Sequence, residues 1–525
     1  MRWTRTIAAL CALLAAIAIA VPAAAHERRP SRPVDVRVRD AGRPDRTRAA
    51  SPTTQHDGSG PAASWPRPAR TEPARPAEGT GVRTPTTDGL DADLLGNNVA
   101  LSPGDPTGAT GPTRVVAAVN VAVAVYDRTS TQLLAPLRLR QISSTLSGMQ
   151  ETDPKVFYDP YSDMFVLAFL TFTSSQGYIN VVTIPSATAE DTGTWCMTHM
   201  VGDQFDNGKH EFADYPSIGF TSNRVVLTTN NFGFNDGPFR YAQIISMPKS
   251  QLYDDPTCTK TVHIEVAGGA ETRNPDGSKA FTLQAATAAG AAPADQYLVS
   301  LEPKPTSAKL VLWRLHVAHG AMSIAKVARA VKRMALPPYG LQCNGTTHAN
   351  SLWDTGDLRL TSAFYDGDTN RLYAATAVKG NAGGGPVESV IRWYEAVPKR
   401  TFHRSVVTRD GTVGAADHDA AWPAVATNDA GTLFVTYARA GLTECLGIWA
   451  ATVPAGSTAA TAALVRAGEL RYEFGPGVER WGDFSAANRD PVTPADVAVF
   501  GAFAEDTGGA TTSVFREHVA LLADT

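Results

Sequence analysis

Seven times between Arg114 and the C-terminus, at intervals of about sixty residues, an alternating apolar run recurs with Asp or Pro near its start and a turn behind it. A unit of that kind is one small antiparallel sheet, which cannot bury both of its faces alone and must stack on its neighbours. The pattern predicts an all-β chain. The fold class it implies is a single β-propeller, seven-bladed, with six or eight blades as alternatives.

The seven runs open at Arg114, Asp153, Asp214, Phe281, Arg359, Trp422 and Trp481. Each reads as a short strand, a turn rich in Gly, Asp or Asn, and a returning strand, such as Arg359 to Tyr365, Asp366-Gly367-Asp368, then Arg371 to Thr376. Helical periodicity is scarce throughout. Ring closure is expected from the strand near Val115 to Tyr126 completing a blade with the C-terminal strands near Ser513 to Leu521, which would remove open sheet edges.

The N-terminal residues 1–25 read as a secretory signal: Arg2 and Arg5 precede an uncharged stretch from Ile7 to Val21, and Ala23-Ala24-Ala25 offers small residues for cleavage. The apolar run is short for a bilayer span, so no stable membrane insertion is expected, and a secreted, extracellular protein follows. Residues 26–95 are rich in Pro, Arg, Thr, Ala and Gly and poor in large aliphatics, the composition of a disordered spacer. This spacer carries 12 Arg against 10 acidic residues, too balanced for a basic arm. Residues 96–525 form the propeller domain. With a formal charge of −4 for the whole chain, the folded part is mildly acidic, which disfavours nucleic acid as a partner.

Cys11 lies inside the signal; Cys196, Cys258, Cys343 and Cys445 remain. An even number in an oxidising compartment implies two disulfides with three possible connectivities, and proximity in the repeat order favours Cys196–Cys258 and Cys343–Cys445. No Cys/His spacing points to zinc.

The order of short motifs carries a resemblance. Asp105-Pro106-Thr107-Gly108-Ala109, Asp191-Thr192-Gly193-Thr194-Trp195, Asp214-Tyr215-Pro216, Gly356-Asp357-Leu358-Arg359-Leu360, Arg392-Trp393-Tyr394 and Arg480-Trp481-Gly482-Asp483-Phe484-Ser485 occur in that order across nearly everything after Asn97. In this the chain resembles secreted bacterial proteins of the sialidase-like β-propeller class, whose members have no agreed activity. The resemblance implies a secreted propeller and no particular reaction. A retaining sialidase would need three arginines and a Tyr–Glu pair, whereas only Arg359 and Arg480 emerge here. The Asp191 to Trp195 stretch is one residue short of the Asp-box spacing.

The sharpest constellation is the row of acidic residues at strand starts: Asp153, Asp214, Asp357, Asp419 and Asp483. Inner strands of a propeller begin at one end of the channel, so these carboxylates are expected to form a ring at its mouth. Such a ring can hold a structural Ca²⁺ or supply an acid/base pair for glycoside hydrolysis. Alternatively each Asp accepts hydrogen bonds from turn backbone and recurs because the turn recurs. His210, Glu211, Tyr215, His348, Trp353, Arg359, His418, Trp422, Arg480 and Trp481 are placed around the same mouth, an aromatic and charged set suited to sugars; Trp422 and Trp481 also suit packing between blades.

Serine-hydrolase elbows, phosphate loops and dinucleotide fingerprints are absent from the sequence. The leading expectation is a monomeric, non-catalytic protein that binds an extracellular glycan or other small ligand at the funnel, without an organic cofactor. The second is a glycoside hydrolase or polysaccharide lyase using rim carboxylates or a His/Tyr/Arg set. The third is an adhesion or scaffold module.

Overall fold

A computed structural model of the chain describes residues 34–40, 86–96, 103–205, 211–234, 237–255, 257–303, 307–343, 352–382, 387–473, 477–506 and 514–523. Seven antiparallel blades follow one another along the chain. Blade I comprises Thr107–Thr110, Arg114–Val119, Ala122–Asp127 and Gln132–Arg138. Blade II comprises Gln150–Asp159, Met164–Phe172, Gly177–Pro185 and Cys196–Val201, and blade III Glu211–Phe220, Arg224–Gly233, Phe239–Pro248 and Thr261–Ala267. Blade IV is built from Gln284–Ala285, Gln296–Pro303, Ala308–Ala318 and Ala321–Val331, and blade V from Ser362–Asp366, Arg371–Gly380, Glu388–Val397 and Val406–Val413. Blade VI contains His418–Thr427, Leu433–Gly441, Glu444–Val453 and Thr461–Arg466; blade VII contains Ala486–Arg489, Asp496–Glu505 and Val514–Ala523.

The first strand of each blade touches the first strand of the next, from I through VII and back from VII to I, so the ring closes. All-round burial of the middle strands explains why they read as near-continuous apolar runs: Val115 to Val119 and Phe165 to Phe169 are fully buried. The apolar core is divided among the clefts between successive blades. One cluster joins Val166, Ile179 and Val181 of blade II to Ile218, Val225 and Leu227 of blade III. Another joins Val226, Ile244 and Ala242 of blade III to Leu298, Val311 and Trp313 of blade IV. Burying each such aliphatic side chain contributes about 1.5–3 kcal/mol. The blades also approach closely at the closure, where a Cβ on Gly108 of blade I would lie 2.3 Å from the Phe500 ring of blade VII.

Closure differs from the sequence expectation. Arg114–Val119 and Ala122–Asp127 pair with each other inside blade I and leave the C-terminal strands to another partner. Blade VII has only three strands from the C-terminal region, and its outer edge is covered by Thr86–Gly96, which runs antiparallel to Val514–Ala523 with Thr86 opposite Ala523 and Asp93 opposite His518. A second strand from the 26–95 segment, Val34–Asp40, lies between the outer strands of blades II and III, pairing with Cys196–Val201 on one side and Thr261–Ala267 on the other. Both strands cover edges that would otherwise be open to pairing with other chains. The signal sequence, residues 1–25, lies outside the described residues, as does the remainder of 26–95.

Both expected disulfides are present. Cys196–Cys258 ties the outer region of blade II to that of blade III. Cys343–Cys445 ties the segment ahead of blade V to the third strand of blade VI. Cys343 and Cys445 are separated by 102 residues. Replacing both by Ser should lower the unfolding free energy by about 4–5 kcal/mol if cross-linking acts chiefly on the unfolded chain. Urea unfolding of the double variant beside the wild type, with and without reductant, measures this.

Candidate functional site at the mouth of the channel

A local backbone device recurs where the inner strands begin. Asp105, Asp153, Tyr215 and Trp422 each stand immediately before a proline, and each has a positive φ, 48°, 51°, 53° and 57° respectively. In blades II, III and VI the ladder slips at the same places, between Thr152 and Lys155, between Asp214 and Ser217, and between Ala421 and Ala424. These are β-bulges, which terminate regular pairing and re-aim a side chain. A left-handed non-glycine residue costs about 1–2 kcal/mol, so four at one end of a channel mark a place where the surrounding structure enforces the geometry.

The bulged residues are linked from blade to blade. The Asp483 backbone N–H donates to Asp105 Oδ1 at 2.7 Å, and Asn120 Nδ2 donates to Asp105 Oδ2 at 2.7 Å. Asn120 Oδ1 in turn accepts from the Asp153 N–H at 3.1 Å, and Asp153 Oδ2 accepts from the Tyr215 N–H at 3.2 Å. Tyr215 Oη donates to the Asp483 carbonyl at 3.1 Å, which completes a closed hydrogen-bonded belt. Asp153 Oδ1 is taken up by Thr152 Oγ1 at 2.7 Å.

Two arginine–carboxylate pairs flank the belt. Arg359 holds Asp357 through Nε and Nη2 at 2.9–3.1 Å and stacks its guanidinium over the Tyr215 ring, 4.5 Å from the centroid, and over Phe281, at 5.2 Å. Arg480 Nη2 reaches both oxygens of Asp483 at 3.0 and 3.1 Å. The segments bearing these pairs are fastened to each other, because the Asp354 N–H donates to the Glu479 carbonyl and the Glu479 N–H to the Leu352 carbonyl. Gly356 lies in this segment at φ +85°, and a Cβ there would be 2.8 Å from the Trp422 ring.

Beneath the pairs lies Lys155. Its Nζ is 3.4 Å from the centroid of the Phe484 ring, and burial pushes its pKa down to about 7 although Asp105, Asp153 and Asp483 pull the other way. Burial pushes the carboxyls of Asp105 and Asp214 well above the usual carboxylate range, helped by neighbouring acids: chiefly Asp483 for Asp105 and Asp153 for Asp214. Asp153 is raised for the same first reason. Asp214 Oδ2 and Arg359 Nη1 are buried without hydrogen-bond partners.

The mouth therefore brings together Asp153, Asp214, Tyr215, Asp357, Arg359, Arg480 and Asp483. Asp419 stands apart: it is fully buried, and its two oxygens accept the backbone N–H groups of Leu341 and Ser389, both at 2.9 Å. His418 turns to the Ala416 carbonyl and to Glu444, which also pairs with Arg439. Trp422 is 5% exposed and donates to the Asp354 carbonyl; Trp481 is 2% exposed and packs edge-on against Tyr472. Trp353 is buried as well. Glu211 accepts from Tyr241 Oη within blade III. His210 and His348 lie outside the described residues.

Sequence reasoning missed Asp105, Asn120, Lys155 and Phe484 as members of the site. The Asp-Pro dipeptide shared by Asp105-Pro106 and Asp153-Pro154 was the available signal. Among the described residues no three His, Cys, Asp or Glu side chains group so as to hold a metal ion. An ammonium group, that of Lys155, stands among three of the carboxylates.

No protein-family model matches the chain, and no curated protein is significantly similar to it. Among solved structures it is similar to a protein of unknown function from Dyadobacter fermentans, at 11% identity and a TM-score of 0.41 over 71% of this chain and 95% of that one. It is also similar to the GH93 α-L-arabinofuranosidase of Fusarium graminearum, at 8% identity and a TM-score of 0.36 over 83% and 98%. A third is the Trypanosoma rangeli sialidase, at 10% identity and a TM-score of 0.35, over 76% of this chain and 57% of that one. At such identities the likeness is one of architecture alone.

The latched and the unlatched carboxylates should respond differently to substitution. Asp105→Ala strips partners from a buried N–H and a buried amide and should cost about 2–4 kcal/mol. Asp214 has a raised pKa in the folded state, so its contribution is present at low pH and lost as pH rises through that value. Asp214→Asn should therefore stabilise the protein at pH 8 relative to wild type and do little at pH 4. Thermal melts of both variants at the two pH values check this.

Proposed function

We propose that the mouth of the channel binds an extracellular glycan without cleaving it, and that the protein is exported to do so. The observation that carries this reading is the aromatic shelf beside the ion pairs. Phe281 and Phe239 are half-buried and pack edge-on at 5.1 Å, with Phe281 next to the Arg359 guanidinium; Phe239 in turn meets Phe232 at 5.5 Å. Half-exposed rings cover the C–H faces of sugars, and flanking carboxylates and guanidinium groups hydrogen-bond their hydroxyls.

Binding is favoured over hydrolysis because four of the five carboxylates at the mouth have both oxygens engaged. Asp105 and Asp153 hold neighbouring donors, while Asp357 and Asp483 are each held by an arginine. A glycosidase needs one carboxyl acid and one free carboxylate at a defined separation across the scissile bond. Two disulfides agree with an oxidising compartment.

A glycan array on the purified protein, followed by calorimetric titration of the best ligand, tests the reading. Phe281→Ala and Phe239→Ala should each weaken binding by roughly 3- to 10-fold, the scale of one aromatic contact. Release of reducing ends from the bound glycan, abolished in Asp214→Asn, would overturn the non-catalytic reading.

A further inference from the structure

Below the belt the inner strands of blades I, II, IV, V and VII enclose a cavity of about 510 Å³. This is within the range of small-ligand sites. Lys155 is part of its wall, together with Thr107, Gln284, Thr361 and Ser485. Two unspent polar groups are found there. Lys155 Nζ has no hydrogen-bond or ion-pair partner among the described residues, and Gln284, 3% exposed, donates through Nε2 to Ser217 Oγ at 2.7 Å while its Oε1 is buried without a donor. A free amine from blade II and a free acceptor from blade IV, lining one cavity, suit a ligand with an electrophilic carbon and a hydroxyl.

We propose that the cavity binds small hydroxylated aldehydes or ketones and that Lys155 captures them as a Schiff base, with Gln284 Oε1 accepting a hydroxyl of the ligand. This does not rest on glycan binding at the mouth. The neutral amine adds to the carbonyl carbon, giving a carbinolamine. Protonation of its hydroxyl by a carboxyl group of the cluster then expels one water and leaves the protonated imine. No electron donor or acceptor is needed. Net charge is preserved: the lysine nitrogen goes from neutral amine to cationic iminium while the carboxyl group that gave its proton becomes a carboxylate. Asp153 and Asp483 beside the amine oppose an anionic ligand, which is why a neutral carbonyl compound suits it better than a carboxylate. The rings of Phe484 and Tyr215, 3.4 and 5.6 Å from Nζ, shield the amine from water and complete its surroundings. Desolvated lysines of this kind are the ones that form Schiff bases.

The test is reductive trapping on the full chain with glyceraldehyde and cyanoborohydride, read by peptide mass mapping across pH 5 to 10. Lys155 should be labelled at least about tenfold faster than Lys332, whose side chain is 69% exposed, at pH 7. Its labelling rate should level off near pH 7. Gln284→Met should slow labelling of Lys155 by glyceraldehyde several-fold and leave labelling by propanal, which has no hydroxyl, unchanged. No label at Lys155, or a rate equal to that of Lys332, overturns the proposal. The wild-type measurement decides it even if a Lys155→Arg control fails to fold.

Discussion

A carboxylate of one blade accepting a backbone N–H of another is the contact on which the mouth of this channel depends. Apart from that of blade V, which pairs in parallel with Thr287–Ala289, the inner strands have one edge without a ladder partner, and each bulge at a strand start frees further N–H groups. Leaving such a donor buried and unpaired costs about 1–3 kcal/mol, whereas a hydrogen bond made contributes about 0.5–1.5 kcal/mol net. Asp105, Asp153 and Asp419 each supply that acceptor, between blades VII and I, II and III, and V and VI. The gain offsets the 1–2 kcal/mol or so of a left-handed residue at each bulge. The recurrence of Asp before inner strands is thus first an architectural fact, and its chemistry is a consequence of where the architecture leaves an acid unlatched.

Concentrating acids at one rim creates an electrostatic problem that the chain solves internally. Arg359 and Arg480 neutralise Asp357 and Asp483 at close range, and Lys155 stands among Asp105, Asp153 and Asp483. Arg359 and Arg480 are each already paired with a carboxylate, so neither turns an unengaged guanidinium fork toward an acidic sugar. Protonation supplies the rest of the balance: burial holds Asp105 and Asp214 in the neutral form beyond the pH at which an exposed carboxyl ionises.

The blades were legible in the sequence because a strand buried on both faces and followed by a Gly/Asp turn leaves a strong local trace, as in Phe364 to Thr376. The disulfides were legible too, each joining cysteines that fall in adjacent repeats. Ring closure was not. Thr86–Gly96 contains three Asp and two Gly, a composition with low strand preference, and it is a strand only because the edge of Val514–Ala523 offers it a ladder. Val34–Asp40 alternates Val with charged residues in the period of a strand, but a short run inside a Pro- and Arg-rich stretch carried too little weight. At the site, motif position did not decide role. Asp419 occupies a strand start like Asp153, yet both of its oxygens are used by backbone; Lys155 follows an Asp-Pro pair and reads as an ordinary strand residue until the fold sets Phe484 over it.

The division of labour at this end of the ring follows from which groups are strained and which are free. Asp153 and Tyr215 are fixed twice, by the bulge and by the belt, and Asp105 by two belt hydrogen bonds, so a ligand that displaced them would have to break several buried hydrogen bonds at once. Phe239 and Phe281 lie outside the belt and belong to no latch, so a ring-stacking ligand can dock there against a preformed surface with little reorganisation, the condition under which modest contacts yield useful affinity. Inside the belt the reverse holds: the wall is rigid, the volume is bounded, and what is unsatisfied is a single amine and a single amide oxygen. On the two proposals, selectivity in the cavity would be governed by reach and chemistry at two atoms, and selectivity on the shelf by the area and tilt of two rings.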